Sequence, residues 1–170
     1  MTSLILYSTD QKTQLKIFEQ DIVNFCCFAD VEKPDKQLTI TIKRSYLLCS
    51  KFNKIKLFHD DLKIFDGFIN KLLFQKSAEG ENVKIISSSF ASVLLSKFAD
   101  PKMYNNLSLK NLVDEYFVPL GFSFYYCHTD LNNLIFSSLP SFTILPKTNL
   151  WGILKNFTKH ALKLNPLIVE

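Results

Sequence analysis

The residues that could do acid–base or metal chemistry are few and widely spaced in this sequence. The three histidines, His59, His128 and His160, fit no HxxxH or HxxE frame, so only folding could gather them around a metal. His160 falls near the end of a predicted helix, where a partly positive side chain suits the helix dipole. A structural role accounts for these residues, and we predict no metal site.

Adjacent carboxylates occur at Asp60–Asp61 and at Asp114–Glu115. The first pair lies in a predicted hairpin turn, where aspartate is favoured for its local backbone hydrogen bonds, and the second lies on the polar side of a predicted helix. Neither pair supplies the convergent groups that acid–base catalysis needs. Ser87–Ser89 has no flanking glycine and is no nucleophile elbow, so we predict that it caps a helix. The sequence therefore predicts no catalytic residue and no enzyme.

Glycine and cysteine usage exclude further classes of site. The chain has 4 glycines and contains neither a P-loop nor a GxGxxG motif, so we predict no cofactor-binding residues and no cofactor. Cys26, Cys27, Cys49 and Cys127 include no CxxC spacing, and the adjacent pair would point to opposite faces of a strand. We predict that the cysteines are small buried hydrophobic residues in a reducing compartment.

The positive charge of the chain comes almost entirely from lysine. The 20 Lys+Arg residues against 16 Asp+Glu give a net charge of +4, and Arg44 is the only arginine. Arginine supplies the bidentate fork used on bases and phosphates, so its scarcity favours a solvated lysine-rich surface. The lysines also allow a binding function. The protein would then be a small β-rich module that binds single-stranded nucleic acid, with salt dependence through Lys54, Lys56 and Lys71, or that binds a protein partner.

The aromatic residues also allow two interpretations. They could be stacking platforms for nucleic-acid bases. Phe68, Phe74, Phe90 and Phe98 fall on the same faces as aliphatic residues, however, and we predict that they belong to the core. Tyr125–Tyr126, beside His128, is predicted to be an interface.

The first hundred residues have mainly the pattern of strands. Leu38–Lys43 alternates strictly between apolar and polar residues, as a half-buried strand does. Lys54–Leu57 and Leu62–Phe65 flank a polar break and predict a hairpin. After Asp66–Gly67 a further strand is expected with Phe68, Leu72 and Phe74 on one face, and another strand at Val83–Ile86 follows a turn.

A helical period follows the strands. Phe90, Val93, Leu94 and Phe98 predict a helix that ends at Asp100–Pro101, because the residue before proline resists the α region. We place a domain boundary there.

The second part of the chain mixes helices and strands. A helix is predicted from Ser108. A longer helix is predicted after an N-cap at Thr148, with one apolar stripe made by Leu150, Ile153, Leu154, Phe157, Ala161 and Leu164. The expected strands are Phe122–Cys127, Leu134–Phe136 and Leu167–Val169. The sequence shows no secretory signal and no apolar run near the ~18 residues of a membrane helix. We therefore expect synthesis in the cytoplasm and no membrane insertion.

The order of these elements resembles that of Mu-like tail hub proteins of contractile phages, which are related to late control D proteins and to type VI secretion spike bases. The likeness covers roughly residues 36 to 170. It rests on these segments: Leu62–Ile69, Val83–Ser89, Ser92–Leu95, Asn106–Val113, Val118–Phe122 and Phe142–Leu154. In the family a Gly-Arg-Ser segment stands where this chain has Ser87–Ser89, and family members continue beyond the last helix. The sequence could therefore be a fragment or a shortened hub.

The resemblance implies an α+β fold with two domains. Residues 1–100 would form an antiparallel, tail-tube-like β-barrel with one helix, and residues 101–170 a smaller α/β domain, incomplete in this sequence. The resemblance further implies a structural component of a phage or prophage baseplate hub, located in the virion tail and in the host cytoplasm during assembly. Its partners would be copies of itself in a homotrimeric ring, with tail tube and spike proteins, and DNA would pass through without specific binding.

Overall fold

The structure, a computed structural model, describes residues 1–10, 12–30, 33–43, 52–77, 80–123 and 138–163. The fold is α+β with mostly antiparallel strands, as predicted. Contacts within the chain divide it into two compact units, with the first ending at Ser92 and the second beginning at Val93.

The first unit is built on one seven-stranded sheet. Its strands are β1 (Thr2–Ser8), β2 (Gln14–Phe18), β3 (Ile22–Ala29), β4 (Lys36–Lys43), β5 (Phe52–His59), β6 (Leu62–Ser77) and β7 (Gly80–Ser89). The order across the sheet is β2-β1-β5-β6-β7-β4-β3, and every neighbouring pair is antiparallel.

The topology makes this sheet curl. Seven alternating strands leave β2 and β3, at the two ends of the sheet, running in the same direction. The short 3-10 turn Glu19–Asp21 connects them, so they are successive parts of one bent strand. Its first part, β2, pairs with β1 at one end of the sheet, and its second part, β3, pairs with β4 at the other end. The backbone N–H of Thr2 donates to Glu19 Oε2 at 3.1 Å, and Lys43 Nζ donates to the carbonyl of Gln20 at 2.8 Å. These two bonds tie the bend to β1 and β4.

One face of the sheet forms the core of this unit. Leu38, Ile40 and Ile42 of β4 are fully buried, which confirms the alternation predicted for that strand. The same core contains Leu4, Leu6, Ile17, Ile55, Leu57, Phe65, Val83 and Ile85. Burial of each such aliphatic side chain contributes about 1.5–3 kcal/mol.

The predicted hairpin is confirmed, but the strand that follows it is longer than expected. Asp60 and Asp61 connect β5 to β6 with φ of 47° and 62°, as in a type I′ turn. β6 then continues through Asp66–Gly67, where we expected an interruption. A Cβ atom on Gly67 would collide with the carbonyl oxygen of Ser88 and lie 2.9 Å from the Phe65 ring. Gly67 is therefore required by the close approach of β7 and makes no turn.

A register shift between Ile69 and Lys71 changes the faces of β6. Phe68 lies opposite Ser88 on the face away from the core, whereas Leu72 and Phe74 lie opposite the core residues Ile85 and Val83. The prediction that Phe68 shares a face with Leu72 and Phe74 is therefore wrong, because the extra residue inverts the alternation.

Ser87–Ser89 belongs to β7, so the predicted capping role is wrong. Ser87 and Ser89 are buried, and Ser89 Oγ accepts a hydrogen bond from the backbone N–H of Lys36 at 3.1 Å. Pairing with β4 as far as Ser88 and with β6 as far as Ser89 continues the strand, so the helix begins later than predicted. A 3-10 turn at Phe90–Ser92 and a single helical turn, α1 (Val93–Ser96), follow.

The second unit contains α1 with β8 (Lys102–Ser108), α2 (Leu109–Tyr116), β9 (Ser138–Ile144) and α3 (Leu150–Ala161). The helix predicted from Ser108 is confirmed, and Ser108 caps it by accepting a hydrogen bond from the backbone N–H of Asn111. The N-cap of α3 is Asn149, whose Oδ1 accepts from the backbone N–H of Gly152 at 2.8 Å, and not Thr148. The predicted apolar stripe of α3 is confirmed by the burial of Leu150, Ile153, Leu154 and Phe157.

Candidate assembly interface

β3 is an edge strand with an exposed apolar surface. From Val23 to Ala29 every residue is exposed, and the exposed fractions of Val23, Phe25 and Phe28 are 49%, 41% and 61%. Among the strands that the structure describes, β3 pairs with β4 alone. Within the described part of the chain, one side of its backbone therefore has no neighbouring strand.

Both faces of β3 are exposed. Phe25 lies opposite Ile40 on the core face of the sheet, and Phe28 lies opposite Gln37 on the other face. Ile40 is completely buried, although it is one strand away from Phe25. The exposure of β3 thus arises from its position at the end of the sheet and not from polar composition.

The strand lacks the features that protect edges in monomeric proteins. Such edges carry lysine, proline or inward-pointing charges that oppose pairing with another chain. The sequence of β3, Ile-Val-Asn-Phe-Cys-Cys-Phe-Ala, contains no charged residue and no proline. This composition is typical of a strand that becomes covered by a partner.

The cysteine prediction fails on this strand. Cys26 and Cys27 are both exposed, whereas we expected them to be buried. Their adjacent positions point them to opposite faces, as predicted, but the residues on both faces of β3 are exposed from Val23 to Ala29. Cys49 and Cys127 lie outside the described residues.

The prediction that four phenylalanines belong to the core is also wrong. Phe68, Phe74, Phe90 and Phe98 have exposed fractions of 41%, 65%, 40% and 63%. Phe68 faces away from the core because of the register shift, and Phe74 lies on β6 beyond the section that pairs with β5. These four rings are therefore exposed, as stacking on nucleic-acid bases would require, and that interpretation stays open.

The far half of β6 resembles β3 in its pairing. β5 pairs with β6 only between Leu62 and Phe68, whereas β7 accompanies β6 to Ser77. Among the described residues, with 44–51 and 78–79 outside them, positions 69–77 thus have a neighbouring strand on one side only. Four strands, in the order β3-β4-β7-β6, form a section of sheet with an open edge at each end.

The second unit holds a polar cluster between β8 and α2. The hydroxyl of Tyr104 donates to Glu115 Oε1 at 2.8 Å and lies 2.7 Å from the hydroxyl of Tyr116, while Lys102 Nζ lies 3.0 Å from Glu115 Oε1. Burial alone would raise the pKa of Glu115, but the hydrogen bonds from Lys102 and Tyr104 outweigh it and lower that pKa. Burial raises the pKa of both tyrosines. These contacts satisfy one another and anchor the helix to the strand.

The other candidate residues remain dispersed. His59 Nδ1 lies 3.1 Å from Thr2 Oγ1, His160 lies in the last turn of α3, and Asp114 pairs with Lys110 at 3.0 Å. In the part of the chain that is described, no three His, Cys, Asp or Glu residues gather as metal ligands would. Several predictions fall on residues outside the described part of the chain. They concern His128, Tyr125–Tyr126, Arg44, the strands expected at Leu134–Phe136 and Leu167–Val169, and most of the strand expected at Phe122–Cys127. No described helix combines the length and apolar character that crossing a bilayer requires.

Comparison with known proteins identifies the fold. No protein-family model and no curated protein sequence matches the chain. Among solved structures, it is similar to a tail protein from Neisseria meningitidis MC58, with a TM-score of 0.63 and 12% identity over 93% of this chain and 46% of that chain. It is similar to the 43 kDa tail protein of prophage MuSo2 from Shewanella oneidensis, with a TM-score of 0.64 and 10% identity over 94% of this chain and 49% of that chain.

A third solved structure, a PdpA–VgrG complex, has a TM-score of 0.50 and 15% identity over 88% of this chain and 29% of that chain. The chain thus spans less than half the length of each of these proteins. It has the fold of Mu-like phage tail proteins, related to that of a VgrG complex, and this confirms the resemblance read from the order of its elements.

Proposed function

We propose that this protein is a structural component of a phage or prophage tail, with no catalytic role, and that it forms a ring in the baseplate hub between tail tube and spike. The observation that carries the proposal is the exposed, uncharged edge strand β3 in a fold shared with phage tail proteins. The ring would be a homotrimer located in the virion tail, and DNA would pass through it without specific binding.

The strand directions support edge-to-edge joining of copies. The section β3-β4-β7-β6 has four alternating strands, so β3 and the far half of β6 run in opposite directions. A neighbouring copy that adds its β6 to β3 would therefore form an antiparallel ladder, like every other pair in this sheet. Joining β3 to β2 of a neighbour in a continuous sheet would instead give a parallel pair.

The two edges differ, which favours a ring over a two-fold dimer. A contact between unlike surfaces repeats from copy to copy and closes when the rotation between neighbours divides a full turn. Closure would cover Phe25 and Phe28 of one copy and Phe74 of the next, and would pair the open sides of β3 and of the far half of β6.

The mass of the particle in solution tests this proposal. We expect light scattering to give three times the chain mass of 19.6 kDa. The double variant Phe25→Lys, Phe28→Lys should remain folded, because both side chains are exposed in the single chain. It should be monomeric, because pairing with another copy would bury the two lysines at the edge.

Met103→Lys, Val118→Lys is the matched control. These side chains are 69% and 51% exposed on the second unit, and their substitution should leave the mass unchanged. A wild-type protein that is monomeric at every concentration contradicts the ring, and so does a β3 variant that keeps the wild-type mass.

A further inference from the structure

The face of the first sheet that points away from the core is strongly basic. Its residues alternate with the buried ones, so the strand registers assign them directly. The lysines assigned to this face are Lys16, Lys43, Lys54, Lys56, Lys63, Lys71 and Lys84. Among the described residues of the strands, Asp66 is the one carboxylate on the same face. The charge of the chain is therefore concentrated on one surface.

Three of these lysines surround Asp66. The Nζ atoms of Lys54, Lys56 and Lys63 lie 3.5, 3.6 and 3.4 Å from its carboxylate oxygens. The side chain of Asp66 is 21% exposed, whereas those of the lysines are 28–43% exposed. One carboxylate neutralises one of three ammonium groups, so the cluster keeps an excess of two positive charges that face solvent.

Aromatic rings adjoin the same cluster. Phe68 lies directly opposite Lys54 on the neighbouring strand, and its ring centroid is 6.0 Å from that of Phe90. Both rings are about 40% exposed. Lys56 Nζ lies 5.2 Å from the centroid of the Tyr7 ring. Neighbouring strands are about 4.8 Å apart, so a cation and a ring are available within the span of a single nucleotide.

We infer that this surface binds single-stranded nucleic acid, with phosphates at Lys54, Lys56 and Lys63 and bases on Phe68 and Phe90. Lysines beside exposed aromatic rings are the combination that sequence-independent binding of single strands uses. A duplex keeps its bases stacked and would leave the rings unused, so the exposed pair favours a single strand. The site goes beyond the assembly role, which concerns β3, and does not depend on it.

Fluorescence anisotropy of a fluorescein-labelled 20-nucleotide oligothymidylate tests the inference. We expect binding that weakens with salt, and Lys54→Gln, Lys56→Gln should weaken it about tenfold and reduce the salt slope by about 1.4, near 0.7 for each lost phosphate contact. Phe68→Ser, Phe90→Ser should weaken binding with the slope unchanged. Lys110→Gln, Lys159→Gln, on the second unit, is the matched control and should bind like wild type.

Asp66→Asn gives the sharpest result. If the lysines bind phosphate, removal of the competing carboxylate should tighten binding severalfold; if they serve only to hold Asp66, binding should not improve.

The inference is overturned if wild type does not bind the oligonucleotide at low salt, if the control loses as much affinity as Lys54→Gln, Lys56→Gln, or if folded Asp66→Asn binds no better. Equal affinity for a duplex of the same length would overturn the single-strand assignment. Light scattering of Lys54→Gln, Lys56→Gln should show the wild-type mass, which separates this site from assembly.

Discussion

β3 and β4 are hydrogen-bonded neighbours of equal length with opposite surroundings. β4, Lys-Gln-Leu-Thr-Ile-Thr-Ile-Lys, begins and ends with lysine, yet Leu38, Ile40 and Ile42 are fully buried. β3 has no charged residue, yet it is exposed from Val23 to Ala29. β4 lies between two strands, whereas β3 has one described neighbour. Position in the sheet, and not apolar content, determines which of the two is buried within one chain.

The largest expected difference between β4 and β3 is in the free energy of unfolding. Ile40→Ala should lower the free energy of unfolding by about 2–4 kcal/mol, because it leaves a cavity in a packed core. Phe25→Ala, opposite it on the same face, should cost less than about 1 kcal/mol in the monomer, since the ring is already partly in water. Urea unfolding followed by circular dichroism at low protein concentration measures both. Equal losses would mean that β3 is covered within one chain.

A smaller effect concerns the thiols. Cys26→Ser should change the unfolding free energy by less than about 0.5 kcal/mol, because the side chain is exposed. In a Cys27→Ser background, a water-soluble maleimide should modify Cys26 rapidly in dilute protein and more slowly as copies assemble over β3. Slow modification at every concentration would show that the strand is shielded without a partner.

Local pattern predicted the parts of the fold that depend on neighbours in sequence. The alternation of Leu38–Lys43, the turn at Asp60–Asp61 and the start of α2 at Ser108 are each specified within a few residues, and the structure confirms them. The path of β6 depends on the approach of Ser88 to Gly67, and the face of Phe68 depends on a one-residue register shift. Neither has a local signal, so both predictions failed.

The candidate interface was harder to predict for the same reason. A run such as Phe25–Phe28 has the composition of a core strand, and only the topology, which places β3 at the end of the sheet, reveals it as a surface. The absence of charge across Ile22–Ala29, in a lysine-rich chain, is the one local signal that could have indicated an edge meant for pairing. The lysine cluster depends on the register of the β5–β6 hairpin, which brings Lys54, Lys56 and Lys63 around Asp66.

Hydrogen–deuterium exchange of wild type over a range of concentrations tests the central claim most directly. If copies join through β3, amides in peptides covering Ile22–Ala29 and 69–77 should become protected together as the protein assembles, and Phe25→Lys, Phe28→Lys should abolish both changes. Exchange in β3 that is the same in dilute and concentrated protein, or protection confined to other strands, would contradict the account.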